Sequence, residues 1–147
     1  MAINTILAYF QSFIPGPRLI DGGDLLQQAN LLFSTKSGIT ATVGGTQATS
    51  AQLIRAYNEV DTATASGTDS VVIMQPAIPG ANIALYNASG QTIKVFGQAS
   101  NAANGGVGDT IAAANSDAQQ ATATGVTHAD TTVFNYTCFK LGQWKQN

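Results

Sequence analysis

Few residues in this chain carry the side chains that enzymes use for bond-making chemistry. Among its 147 residues there is one histidine, His128, one cysteine, Cys138, and one glutamate, Glu59. A serine nucleophile would need His128 as its base, but the sequence lacks the G-x-S-x-G turn that exposes such a serine. We therefore interpret His128 as a loop residue, and we predict that the protein has no catalytic residues and is not an enzyme.

Metal and cofactor sites are no easier to assemble. One histidine and one cysteine cannot supply the ligands of a zinc site, and the aspartates lack the spacing of a calcium loop. Asp21 and Asp24 could share a cation, although helix capping or loop solvation explains them more simply. The stretch GGVGD at 105–109 lacks the full pattern of a phosphate-binding loop, so we interpret it as a turn. We predict no metal and no cofactor.

The chain carries little charge of either sign. Charged residues make up 10% of the sequence and the formal net charge is −2, whereas soluble domains contain about 25% charged residues. The six lysines and arginines are scattered, so they do not form the basic footprint that phosphates require. Weak self-repulsion also permits close packing against other copies or other proteins. This composition predicts protein partners and no nucleic acid.

The remaining composition favours one folded, β-rich domain. Leu, Ile, Val and Phe together number 34 of the 147 residues, or 23%. Disorder is expected when these residues make up less than roughly 20% of a chain. The polar surface must come from 17 threonines together with Ser, Asn, Gln and Gly, which suit strands and turns. A single glutamate argues against an all-α fold, because helices usually draw their solubility from Glu and Lys.

The first 20 residues combine bulky apolar side chains with a proline stop. A partly helical spacing ends at Pro15 and Pro17, which a helix does not readily pass. The segment lacks the basic region of a signal peptide and is too polar for a membrane span. We interpret it as an arm that packs either on its own core or on a neighbouring subunit. Our candidate interface residues are Ile6, Phe10, Phe13, Ile14 and Arg18.

The residue pattern changes near residue 38 and divides the chain into two regions. Apolar positions within 24–33 fall on one helical face and predict a short helix, with a strand as the alternative. We therefore assign 1–37 to an N-terminal arm with a short helix, and 38–147 to a β-sandwich domain. Residues 47–60 fit either a helix or a strand.

Short apolar runs separated by Gly, Pro and Asn predict a series of strands within 38–147. SVVIM at 70–74 is typical of a strand covered on both faces, and TTVFNYTCF at 131–139 alternates between two faces. IALYNASGQTIKVFG at 83–97 predicts a hairpin, and the glycine-rich segment 97–108 predicts an exposed loop. The predicted fold class is all-β: an antiparallel β-sandwich, jelly-roll-like, with at most one or two short helices.

The aromatic side chains leave two interpretations open. Core filling is the favoured one, because aromatic residues dominate the energetics of a core with few other large side chains. The alternative is a surface on which carbohydrate rings stack. The residues concerned are Tyr86, Phe96, Phe134, Tyr136, Phe139 and Trp144.

Short motifs follow one another in a characteristic order over residues 38–144. GITA is followed by GTQAT, a Pro-Gly turn, a stretch ending in Val-Phe, then GDTI, FNYTC and a late tryptophan. This order resembles that of small virion proteins of tailed bacteriophages, although the loop at 97–108 is longer than in that pattern. The matching positions are 38–41, 45–49, Pro79, Gly80, Asn87, Gly90, Val95, Phe96, Gly108, Asp109, Ile111, 134–138 and Trp144.

The resemblance implies a role as well as a fold. It implies a capsid cement or decoration protein with a jelly-roll-like β-sandwich, which binds the outer capsid surface and stabilises contacts between major capsid subunits. The implied partners are the major capsid protein and further copies of this chain, as a homotrimer or homodimer, with no membrane. The protein would be made in the host cytoplasm and reside on the capsid surface of the virion. The alternative is a tail or fibre component that binds a host-surface carbohydrate.

Overall fold

The computed structural model describes residues 35–147, and eleven β-strands make up much of this part of the chain. The arm over 1–20 and the helix over 24–33 lie outside the described residues. Within them, the one helical element is a 3-10 turn at Ala102–Asn104. The strands are β1 (Thr35–Thr40), β2 (Ala51–Leu53), β3 (Tyr57–Thr62), β4 (Ser70–Ile73), β5 (Asn82–Asn87), β6 (Ile93–Phe96), β7 (Thr110–Ala112), β8 (Gln119–Gln120), β9 (Val126–His128), β10 (Thr132–Lys140) and β11 (Gln143–Gln146).

These strands form two sheets. The larger sheet has seven strands in the order β1-β3-β5-β10-β11-β7-β8, and the smaller sheet has four in the order β2-β4-β6-β9. The prediction of an all-β body is therefore confirmed for the described residues, and the ambiguous segment 47–60 contains strands. No helix in this part of the chain is long and apolar enough to cross a membrane.

The first six strands wind alternately through the two sheets. β1, β3 and β5 enter the larger sheet, whereas β2, β4 and β6 enter the smaller one. Each strand reaches its neighbour only after the chain has passed through the opposite sheet, so the neighbours run in the same direction and pair in parallel. Antiparallel pairs join β10 to β5 and β11, β9 to β6, and β8 to β7. The predicted antiparallel arrangement is met only in part.

The stretch at 83–97 is not a hairpin. β5 pairs with β3 and β10 in the larger sheet, and β6 pairs with β4 and β9 in the smaller one. The buried side chain of Asn87 builds the corner between them: its oxygen accepts from the Ser89 hydroxyl at 2.7 Å, and its nitrogen donates to the Gln91 carbonyl at 2.7 Å. Gly90, with a φ of 78°, completes the corner. The alternation located both strands correctly, but the hairpin pairing was wrong.

Side chains from both sheets share one buried apolar cluster. β4 is buried along its whole length, which confirms the strand predicted at 70–74. β10 turns Tyr136 and Cys138 into the cluster and exposes Val133 and Phe139, as the alternation at 131–139 predicted. Each fully buried aliphatic side chain stabilises the fold by about 1.5–3 kcal/mol. Fully buried members of the cluster include Leu53, Val60, Ile73, Leu85 and Trp144.

Candidate functional site

The interface residues predicted from the sequence, Ile6, Phe10, Phe13, Ile14 and Arg18, lie outside the described residues. The candidate sites that remain are those built by residues 35–147. They fall into two kinds: buried polar groups inside the two-sheet body, and side chains on the outer face of the larger sheet.

His128 is a buried strand residue, so its interpretation as a loop residue is wrong. It lies in β9 and is fully buried. Its Nδ1 lies 2.8 Å from the Tyr136 hydroxyl, and its Nε2 lies 3.0 Å from the Thr132 carbonyl oxygen. The Gln146 amide nitrogen donates to the same Tyr136 hydroxyl at 3.1 Å. The lone histidine therefore links β9 to β10, and Tyr136 extends the network to Gln146 on β11.

The partners of His128 indicate the tautomer of its neutral form. A carbonyl oxygen only accepts, so Nε2 must carry the proton that is donated to Thr132. Nδ1 is then the acceptor, and the Tyr136 hydroxyl donates to it while accepting from Gln146. Burial lowers the pKa of His128, although the bond to the Thr132 carbonyl raises it, and burial raises the pKa of Tyr136. This network holds a neutral imidazole in a structural role.

Asp109 is also used inside the body. Its buried carboxylate accepts from the Ala77 backbone N–H at 3.0 Å and from the Asn101 side-chain nitrogen at 2.7 Å. The segment 97–108 is exposed at much of its tip, but Gly97 and Asn101 are buried, so the prediction of an exposed loop is wrong for these two residues. Asp109 thus holds both the loop that follows β4 and the loop that follows β6.

Gln47 reinforces the same corner of the molecule. Its side-chain nitrogen donates to the Gly97 carbonyl at 2.9 Å and to the Gln98 carbonyl at 2.7 Å. Gly97 also lets the backbone lie close to Asp109, since a Cβ at position 97 would lie 2.7 Å from the Cβ of Asp109. These contacts lay the loops around 47 and 98 over the outer side of the smaller sheet, beside Val72.

Asp69 is the third buried group with a chemically versatile side chain. Its Oδ2 accepts from the backbone N–H groups of Thr64 at 2.6 Å and Ala65 at 3.0 Å, and from the Thr64 hydroxyl at 3.0 Å. The Thr64 backbone bond lowers the pKa of Asp69 against the raising effect of burial. The carboxylate therefore closes the loop between β3 and β4.

The outer face of the larger sheet carries the exposed aromatic residues. Tyr57 on β3 is 55% exposed, Tyr86 on β5 is 38% exposed, and Phe139 on β10 is 73% exposed. Phe96, Tyr136 and Trp144 are buried and Phe134 is partly buried against the core cluster, so core filling is confirmed for these residues, whereas Tyr86 and Phe139 are exposed.

A shallow depression of about 350 Å³ lies on this outer face, and we call it the outer trough. It lies over strands β1, β3, β5 and β10. Its lining residues are Thr35, Lys36, Ser37, Tyr57, Asn58, Glu59, Ala84, Tyr86 and Val133.

Comparison with known proteins adds no relative. No protein-family model matches the chain, and neither a curated protein nor a solved structure matches it. Across residues 35–147, His, Cys, Asp and Glu side chains do not gather in a group of three or more that could hold a metal ion.

Proposed function

We propose that this protein is a structural virion component of a tailed phage, which binds the outer capsid surface and stabilises contacts between major capsid subunits. The observation that carries the proposal is the structural role of three titratable side chains among the described residues. His128, Asp69 and Asp109 are all buried and hydrogen-bonded to backbone or side-chain partners. Side chains that hold loops and strands together in this way suit a protein that acts by presenting a rigid surface to other proteins.

The sparse charge of the chain supports the same proposal. A net charge of −2 over 147 residues permits dense packing of many copies on one particle without strong mutual repulsion. The order of turn and strand motifs over residues 38–144 gives a second, independent argument through its resemblance to phage virion proteins. The jelly-roll-like sandwich implied by that resemblance stays a prediction.

In this proposal the N-terminal arm makes the principal contacts with the major capsid protein. Its apolar residues Ile6, Phe10, Phe13 and Ile14 would supply the buried area, and Arg18 would supply a polar contact at the edge. A homotrimer or homodimer would present several arms at once and gain avidity without tighter individual contacts. The protein is made in the host cytoplasm and resides on the virion.

Deletion of residues 1–17 tests this role of the arm. We expect the truncated protein to lose co-sedimentation with undecorated capsids while its circular dichroism retains the β signal. In the full chain, Phe10→Asp should weaken the same binding, because it places a charge in an apolar contact. Val107→Asp is the matched control, since Val107 is 61% exposed in the described body. Normal decoration by the truncated protein would overturn the role of the arm.

The alternative, a tail or fibre component that binds a host-surface carbohydrate, predicts a different location. Immunogold labelling of intact particles separates the two: label over heads supports the cement role, and label confined to tails supports the alternative.

A further inference from the structure

The register of the larger sheet explains the shape of the outer trough. Tyr57 on β3 pairs with Ala84 on β5, and Glu59 pairs with Tyr86, which in turn pairs with Val133 on β10. Side chains at paired positions point to the same side of a sheet. Tyr57 and Tyr86 are therefore diagonal neighbours on adjacent strands, and Ala84 and Glu59 occupy the other two positions of the same square. The two tyrosines and Val133 stand around a floor made by an alanine methyl group.

The polar residues of the trough carry balanced charge. Lys36 and Glu59 both line the trough, so the formal charges of the lining residues cancel. Glu59 shares the face of Tyr57 and Tyr86, whereas Lys36 lies at the edge strand β1, where it pairs with Asn58. Within residues 35–147 neither side chain makes an ion pair. Hydroxyl groups of Thr35, Ser37 and the tyrosines add further donors and acceptors at the rim. This set complements a neutral ligand with many hydroxyl groups better than it complements an anion or a cation.

The size of the trough limits what it can accommodate. Nine residues line it, whereas a stable protein–protein interface uses about 20–30 residues on each side. A volume of about 350 Å³ lies at the lower end of the range for small-molecule sites. The trough is therefore too small to hold a second copy by itself, and it suits one or two sugar rings.

We propose that the outer trough binds a neutral saccharide. The apolar face of a sugar ring packs on Tyr57 and Tyr86 over Ala84, while Glu59 accepts hydrogen bonds from its hydroxyl groups. Both rings rise from strands of one sheet, so their backbone is fixed before binding, and each tyrosine has only two χ angles to order. The inference goes beyond attachment to the capsid and does not depend on it.

The test is a nuclear magnetic resonance titration of the full chain with neutral disaccharides, namely lactose, maltose, cellobiose and N,N′-diacetylchitobiose, up to millimolar concentrations. We expect saturable shifts for at least one of them, centred on the amides of β3 and β5 around Tyr57 and Tyr86. Tyr57→Ala and Tyr86→Ala should each weaken that binding about tenfold, as the loss of a central aromatic contact does. Tyr57→Phe keeps the ring and should retain most of the affinity.

Phe139→Ala provides the matched control. Phe139 is an exposed aromatic residue on the same sheet, but it does not line the trough, so its removal should leave saccharide affinity unchanged. The proposal is overturned if none of the four disaccharides gives saturable shifts, or if Phe139→Ala weakens binding as much as Tyr57→Ala. It is also overturned if Tyr57→Ala changes the sedimentation coefficient of the protein without an effect on sugar binding, since the trough would then contact a second copy. Capsid co-sedimentation of Tyr57→Ala is measured as well. It distinguishes a loss of self-association through the trough from a loss of capsid binding through the arm.

Discussion

The two sheets differ in what covers their outer faces. Val72 and Phe96 on the smaller sheet are each only 3% exposed, and the loops around 47 and 98 line the surface beside Val72. The corresponding positions of the larger sheet, such as Val133 and Phe139, are open to solvent. The outer apolar side chains of the smaller sheet, Val72 and Phe96, are therefore buried, and the larger sheet is the one with outer apolar side chains open to solvent.

This difference shows where buried polar residues are needed. Loops that cover a sheet bring backbone polar groups out of water, and these groups must find partners. Gln47 and Asp109 provide such partners for the Gly97, Gln98 and Ala77 backbone groups. The outer trough has one such residue among its lining, Asn58, which is buried and donates to the Arg55 carbonyl at 2.7 Å.

The largest expected difference between the two faces comes from one pair of matched substitutions. Phe96→Ala should lower the free energy of unfolding by about 3–5 kcal/mol, because it removes a buried ring and leaves a cavity. Phe139→Ala should change it by at most about 0.5 kcal/mol, since the ring is already in water. Urea denaturation of both variants measures the contrast. Equal effects would show that the outer faces are not covered differently.

The pH dependence of stability tests the inner side of the larger sheet, where His128 and Tyr136 meet. The folded pKa of His128 is depressed, so the unfolded chain binds the proton more tightly. Stability should be constant above the unfolded pKa of about 6.5 and should fall as the pH drops below it, by at most about 1.4 kcal/mol per pH unit. Urea denaturation at several pH values checks the sign of the change.

The variant His128→Gln should lose that slope, whereas Asp130→Asn should keep it, because it leaves the imidazole and its partners Tyr136 and Thr132 in place. Stability that rises as the pH falls through this range would contradict the neutral, hydrogen-bonded imidazole.

Gln47→Ala should have a smaller effect, about 1–2 kcal/mol, because it leaves the Gly97 and Gln98 carbonyls without their amide donor. Hydrogen exchange should show faster opening of the 97–101 segment. Gln52→Ala is the control, since Gln52 is exposed on β2 and should change neither measurement. Unchanged exchange in Gln47→Ala would mean that the cover does not depend on this side chain.

The smallest effect is expected in the outer trough. Val133→Ala should alter the free energy of unfolding by no more than about 0.5 kcal/mol, since Val133 is 61% exposed. Val72→Ala, the matched substitution on the covered face, should lower the free energy of unfolding by about 1 kcal/mol or more, because it removes buried aliphatic groups. Thermal denaturation of the two variants orders them directly.

Local patterns predicted the strands better than they predicted the strand partners. The apolar run at 70–74 and the alternation at 131–139 located β4 and β10, because burial on one or two faces leaves a direct trace in sequence. Pairing leaves no such trace, so the stretch at 83–97 predicted a hairpin. The buried amide of Asn87 and the positive φ of Gly90 form the corner at which the chain passes from β5 to β6 in the other sheet.

The site residues were predictable to a similar degree. The alternation of Val126, Thr127 and His128 fits a strand with its first and third residues buried, and this signal could have placed His128 in the core. The register that makes Tyr57 and Tyr86 diagonal neighbours could not have been predicted from the sequence. The two residues are 29 positions apart, and the chain passes through the other sheet between them. The predicted interface residues at 6–18 lie outside the described residues and stay a prediction.

The proposed role is tested most directly by cryo-electron microscopy of intact virions. We predict density for the two-sheet body on the outer surface of the capsid, with a connected segment that reaches across the boundary between neighbouring major capsid subunits. Density for this body on the tail alone, or particles that contain no copy of the chain, would contradict the account.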